Sequence, residues 1–132
     1  MKLLVDHNLP PRLAEALHVI FQPDHEVIAL SRKFERHNLK DEEWIPALGR
    51  EGGWAVISAD MNIARKKPSR ELFVRAGLVG FFFSPAMQKW LLSRQTARIL
   101  TLWPQMISHL STTANGVFEV PTSGNKFRSI GR

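Results

Sequence analysis

The sequence contains no cysteine, which excludes disulfides, thiolate metal sites and cysteine nucleophiles together. It has no run of about 18 or more apolar residues, so no membrane span is expected. No charged-then-apolar leader opens it, and a cytoplasmic location is the default expectation. His7, His18, His25, His37 and His109 show no H-E-x-x-H spacing, so no zinc site is expected. The serines lack a nucleophile-elbow context. Gly49, Gly52 and Gly53 follow a predicted helix and do not open one, which removes a Gly-rich phosphate loop. Repeats and low-complexity segments are also missing. The last scarcity is of acid in one half of the chain. Residues 1–60 hold 10 acidic side chains against 7 Lys/Arg, whereas residues 61–132 hold 2 against 11. The formal net charge is +6 and the pI is near 10.3, and positive charge gathered in one half favours a polyanionic partner.

What is present is ordinary for one globular domain. The chain has 132 residues, 44% of them hydrophobic, which is enough for a real core. Leu3, Leu4 and Val5 form an apolar run without polar alternation, as expected of a strand buried on both faces of a parallel sheet. That run stops at Asp6. Asn8 can cap a helix, Pro10 and Pro11 suit its first turn, and Leu13, Ala14, Leu17 and Ile20/Phe21 then recur at helical spacing. A second strand is predicted over 26–30, followed by a polar stretch, 31–40, read as a loop or short exposed helix. Asp41-Glu42-Glu43 opens a helix whose first turn is acidic, where the macrodipole favours it. Trp44, Ile45 and Leu48 face the core, and Gly52-Gly53 ends the helix.

Trp54 to Ser58 is a third apolar strand, and an aspartate, Asp60, follows it too. Ser69 can cap a short helix through Ala76, and residues 78–83 form a fourth strand. Ser84-Pro85 opens the longest helix, which Pro104 breaks or kinks. Val117 to Val120 reads as an edge strand ended by Pro121, and residues 122–132 as a loose hairpin or frayed tail. The alternation of strand and helix implies an α/β fold, a three-layer α/β/α sandwich with a mostly parallel central sheet.

Asp6, Asp41 and Asp60 are the residues to weigh for chemistry. Adjacent parallel strands bring Asp6 and Asp60 to the carboxyl edge of the sheet, where open α/β sheets place their ligands. The helix that enters strand three begins at the same edge and brings Asp41. Each alone reads as a cap or turn residue; the set reads as a site. Clustered carboxylates repel and are costly when dry, so a cation is expected among them. Oxygen donors select Mg²⁺ or Mn²⁺ over zinc, and such an ion can activate a water and neutralise charge on a phosphate. Arg65, Lys66, Lys67 and Arg70 follow at once and suit a nucleic-acid backbone.

Three segments together, Leu-Leu-Val-Asp-His-Asn-Leu-Pro-Pro-Arg-Leu at 3–13, Lys-Asp-Glu-Glu-Trp-Ile at 40–45 and Val-Ile-Ser-Ala-Asp-Met-Asn-Ile at 56–63, resemble the PIN-like domains. More narrowly they are similar to the compact branch related to VapC-type toxins of bacterial toxin–antitoxin pairs. The resemblance covers roughly residues 1–110. It implies a nuclease domain over 1–111, with 112–132 as a basic C-terminal strand and tail, either part of the same domain or loosely ordered. It also implies metal-dependent ribonuclease activity, RNA as substrate and a cognate antitoxin as protein partner; dimers are common in similar domains, so a homodimer is a further partner to test.

By motif position Asp6 resembles the family's strand-one aspartate, Asp60 the aspartate after strand three, and Asp41 the acid opening the intervening helix. Asn62 stands where the family often has a second acid; it can assist a metal or a water but brings no charge. Glu35 is the sole acid where larger members carry another. The rivals that follow are a catalytically silent homologue that binds RNA or antitoxin, and a receiver-like phosphoacceptor domain. The receiver reading lacks the paired acids after strand one and the lysine at a later strand end.

Overall fold

The computed structural model describes residues 1–36 and 38–131; His37, in the polar stretch, and Arg132, in the tail, lie outside the described residues. The four apolar runs form the strands β1 (Lys2–Val5), β2 (Glu26–Ala29), β3 (Trp54–Ser58) and β4 (Val79–Phe83), and two more, β5 (Gly116–Val120) and β6 (Arg128–Ser129), complete one sheet in the order β2-β1-β3-β4-β5-β6. The first five strands run parallel, and β6 returns antiparallel beside β5. The edge strand predicted at 117–120 is therefore an interior one, because the tail folds back over its free edge.

Burial on both faces explains why β3 and β4 read as unbroken apolar runs: every residue of each is buried. One face carries Leu3, Val5, Ile57, Phe81 and Phe83, and packs against α1 (Pro11–Phe21) through Leu13 and Leu17 and against α7 (Leu92–Thr112) through Ile99, Leu102, Trp103 and Met106. The opposite face carries Leu4, Val56 and Phe82, covered by Trp44, Ile45 and Leu48 of α3 (Asp41–Glu51), Ile63 and Ala64 of α4 (Met61–Arg65) and Phe73 of α5 (Lys67–Ala76). The result is a three-layer α/β/α sandwich. Each large side chain buried this way contributes about 1.5–3 kcal/mol.

Several boundaries differ from the sequence reading. The polar stretch begins with a short helix, α2 (Leu30–Phe34), and the helix placed at 69–76 starts two residues earlier, directly after α4. The long helix does not start at Pro85. A four-residue helix, α6 (Pro85–Gln88), comes first, and the chain turns at Lys89–Leu91 before α7. Pro104 lies inside α7 without ending it, because the buried row Ile99, Leu102, Trp103 and Met106 on either side holds the helix together. Asn8 does not cap α1; the N-cap is Pro10 and no side chain caps it. Asn8 is held elsewhere, in the site described next.

Candidate active site

β1 and β3 are in register at Val5 and Ile57, so Asp6 emerges opposite Ser58 at the carboxyl edge of the sheet. The Asp6 N–H extends the ladder by donating to the Ile57 carbonyl at 2.9 Å. Its carboxylate is fully buried, 0% exposed, and its partners are a hydroxyl and a histidine. Ser58 Oγ donates to Oδ2 at 2.9 Å, and the His7 N–H donates to Oδ1 at 2.7 Å. His7 Nδ1 lies 2.9 Å from the same oxygen on an imidazole that is 53% exposed. No Lys or Arg among the described residues pairs with Asp6.

Ser58 connects the two strand ends. Its hydroxyl also accepts from the Asp60 N–H at 3.0 Å and from Asn8 Nδ2 at 3.3 Å. Asn8 Oδ1 in turn accepts from the Ala59 N–H at 3.3 Å. A single buried hydroxyl thus fixes the Asp6 carboxylate relative to the backbone that carries Asp60. The Asp60 side chain caps α4, with Oδ1 accepting from the Asn62 N–H at 3.0 Å. Asn62 is exposed and shares a cleft of about 250 Å³ with Asp60, Arg65, Pro85 and Gln88.

Asp41 is the first residue of α3, with Lys40 as its N-cap. Its Oδ1 accepts from Trp44 Nε1 at 3.0 Å. Burial, foremost, pushes the Asp41 carboxyl above its ordinary range; the Trp44 hydrogen bond works against this, and the charges of Asp6, Asp60 and Glu42 push in the same direction as burial. Asp41 therefore feels the negative charge of both other aspartates. That is the donor chemistry of a hard cation. Among the described residues, however, no three His, Asp or Glu side chains are close enough to hold an ion directly between them. The described residues do not make a closed all-protein cage; an ion held here would have to keep most of its waters.

The four cations that follow β3 divide. Arg65 lines the Asp60 cleft. Lys66 is exposed. Lys67 and Arg70 line a separate hollow of about 240 Å³ between α5, β5 and the tail. The Arg70 guanidinium donates to the Ala64 and Arg65 carbonyls, where it holds the end of α4. On α7, Arg98 donates to the Pro121 and Gly124 carbonyls and pins that loop. Glu35 is exposed at the end of α2 with a left-handed backbone, and β5 ends at Val120-Pro121 with no lysine of the kind a receiver uses.

The sequence reading did not single out Ser58 or the long-range role of Asn8. The one signal was a hydroxyl at the end of a strand otherwise wholly apolar, since a buried hydroxyl requires a partner. A family model described as a PIN-like domain matches residues 1–85, which span all three aspartates. No curated protein and no solved structure matches the chain.

Proposed function

The chain belongs to the PIN-like domain family, a nuclease-type fold, and from that premise we propose that it is a Mg²⁺- or Mn²⁺-dependent ribonuclease. Asp6, Asp41 and Asp60 would hold the ion, with Asn62 beside them. The observation that carries this reading is the fully buried Asp6 carboxylate, which has no Lys or Arg partner among the described residues and whose charge, with that of Asp60, reaches Asp41. A buried carboxylate met by a hydroxyl, a backbone N–H and a histidine in place of a Lys or Arg is still costly, and a cation is a group that relieves it. When bound, the ion supplies Lewis-acid stabilisation to a phosphodiester as negative charge builds on it.

The protein's own residues do the rest. Ser58 keeps Asp6 in one orientation, and Asn8 holds Ser58 and the Ala59 backbone. Arg65 faces the cleft, and Lys66 and Lys67 offer exposed charge to an RNA backbone. His7 Nδ1 lies beside Asp6 Oδ1 at the mouth of the site. The wider biological reading is the toxin of a toxin–antitoxin pair working in the cytoplasm, with the cognate antitoxin as protein partner and a second copy of the chain as another. A small helix-turn-helix gene immediately beside this one is the observation that would support it.

The test is calorimetry of Mn²⁺ with the wild type and Asp60→Asn, alongside RNA cleavage by the wild type and Asp6→Asn. Metal binding lost in Asp60→Asn and cleavage lost in Asp6→Asn, with the fold retained, support the proposal. Full cleavage by Asp6→Asn refutes it. A second reading, a homologue that binds RNA or antitoxin without cutting, is favoured by one observation: the neutral Asn62 beside a set in which, among the described residues, no three acids close on an ion. It predicts salt-sensitive RNA binding that is indifferent to metal.

A further inference from the structure

The turn between α6 and α7 carries a pair of side chains that the site above does not use. Trp90 is half-buried at the margin of the core formed by α1 and α7. One turn on, the exposed Arg94 lies over it, with Cζ 3.8 Å from the indole centroid. Cation–π attraction fixes the guanidinium there. Arg94 is exposed and makes no ion pair and no side-chain hydrogen bond among the described residues, and the contact recorded for its plane is the one with Trp90. Beside it Leu91 is 78% exposed, and Lys89 adds an exposed charge.

The turn is held in a fixed shape. Gln95, buried, donates from Nε2 to the Met87 carbonyl at 2.9 Å, and the Trp90 N–H donates to the same carbonyl at 3.1 Å. A rigid corner that exposes a leucine and a flat, unpaired guanidinium is built to meet something. Its position says what. Gln88, the last residue of α6, lines the cleft of Asp60 and Arg65, and Trp90 is two residues beyond it, at most about 8 Å along the chain.

We propose that Arg94, laid on Trp90, is a stacking platform for one unpaired base of a single-stranded RNA whose backbone crosses the Asp60 cleft. Unpaired bases stack on guanidinium planes as they do on aromatic rings, and Leu91 offers apolar contact to the edge of the same base. A paired base inside a duplex has no free face to offer, so this corner selects single-stranded RNA. The proposal rests on the reading of the protein as one that acts on RNA.

The experiment is fluorescence anisotropy in EDTA, so that nothing is cut, with three RNA probes of equal length: oligoadenylate, the same backbone with abasic sites, and a duplex. The wild type binds oligoadenylate more tightly than either of the others. Arg94→Lys keeps the charge and loses the plane; its affinity for oligoadenylate falls by about tenfold, while its affinity for the abasic probe and its salt dependence do not change. An unchanged affinity for oligoadenylate overturns the platform, and so does an equal loss on the abasic probe, which would make Arg94 a phosphate contact. A corner that serves a peptide partner in place of RNA would give the first of these results, an oligoadenylate affinity unchanged by Arg94→Lys. If the wild type binds no probe, the RNA-directed reading falls together with the platform. If the Arg94→Lys effect is seen but Mg²⁺ and Mn²⁺ produce no cleavage, the platform stands and the nuclease reading falls.

Discussion

Replacing Ser58 by alanine should be among the most damaging single-atom deletions in this protein. Its hydroxyl donates to a fully buried carboxylate at 2.9 Å and accepts the Asp60 N–H at 3.0 Å. A hydrogen bond to a charged group contributes about 1.5–3 kcal/mol, and a donor left unpaired costs about 1–3 kcal/mol more, so the loss should come to about 2.5–6 kcal/mol. With about 2.1 cal/mol/K of unfolding entropy per residue, 132 residues give about 0.28 kcal/mol/K, and Tm should fall by about 9–21 °C. Thermal and urea unfolding measure this directly. The origin of the effect is separable, because a neutral amide at position 6 removes the charged acceptor. In the Asp6→Asn background the cost of Ser58→Ala should shrink to about 1–2 kcal/mol. A Ser58→Ala protein melting within about 3 °C of the wild type would refute the reasoning, as would a cost undiminished by Asp6→Asn.

Further expectations concern charge and packing. Asp41 has its carboxyl pushed above the ordinary range by burial, with its acidic neighbours adding to the effect, so the native state holds that proton more tightly than the unfolded chain and ionised Asp41 lowers stability at neutral pH. Asp41→Asn should therefore melt higher than wild type at pH 7, with the gap closing as pH falls through the carboxylate range; a lower melting temperature at pH 7 would contradict this. His109 is the opposite case: burial among Phe81, Phe118 and Phe127 lowers its pKa, so the unfolded chain takes up the proton more readily. Stability should fall as pH drops below about 6.5, and His109→Leu should flatten that limb in urea midpoints taken at pH 7.5 and 5.5. At Gly49, where α3 meets α5, an added Cβ would sit 2.5 Å from the Ala76 carbonyl oxygen, and Gly49→Ala should cost about 1–3 kcal/mol by forcing the helices apart, measurable by urea unfolding.

Much of this architecture is legible in local pattern. Apolar runs mark strands buried on both faces, and an aspartate beyond β1 and another beyond β3 mark the carboxyl edge, because strand direction and chain order leave little choice of where they go. What is not legible depends on partners distant in sequence. Asn8 looks like a helix cap, yet its amide is committed to Ser58 and Ala59, some 50 residues on. Pro104 looks like a break, yet the row Ile99, Leu102, Trp103 and Met106 buries the helix around it. The real break at Lys89–Leu91 has no proline or glycine to announce it; the Gln95 amide bonded to the Met87 carbonyl fixes it. The hollow that takes Lys67 and Arg70 exists because β6 folds back beside β5, and two residues of pairing leave little trace in composition.

The seam at residue 85 has a consequence for how such a protein can change. Everything acidic in the site is made before it, in the matched part, while α7, β5 and β6 come after it. The later segment supplies Ile99, Leu102, Trp103, Met106 and Val120 to the layer under α1 and gives β4 its outer neighbour. It is also where acid is nearly absent, with Glu119 alone among residues 86–132. The aspartates and the layer that buries α1 thus come from successive lengths of chain, joined by a wall of apolar contact. Substitutions on the exposed side of the later length can leave the aspartates undisturbed, whereas its buried side is as constrained as the strands it packs on.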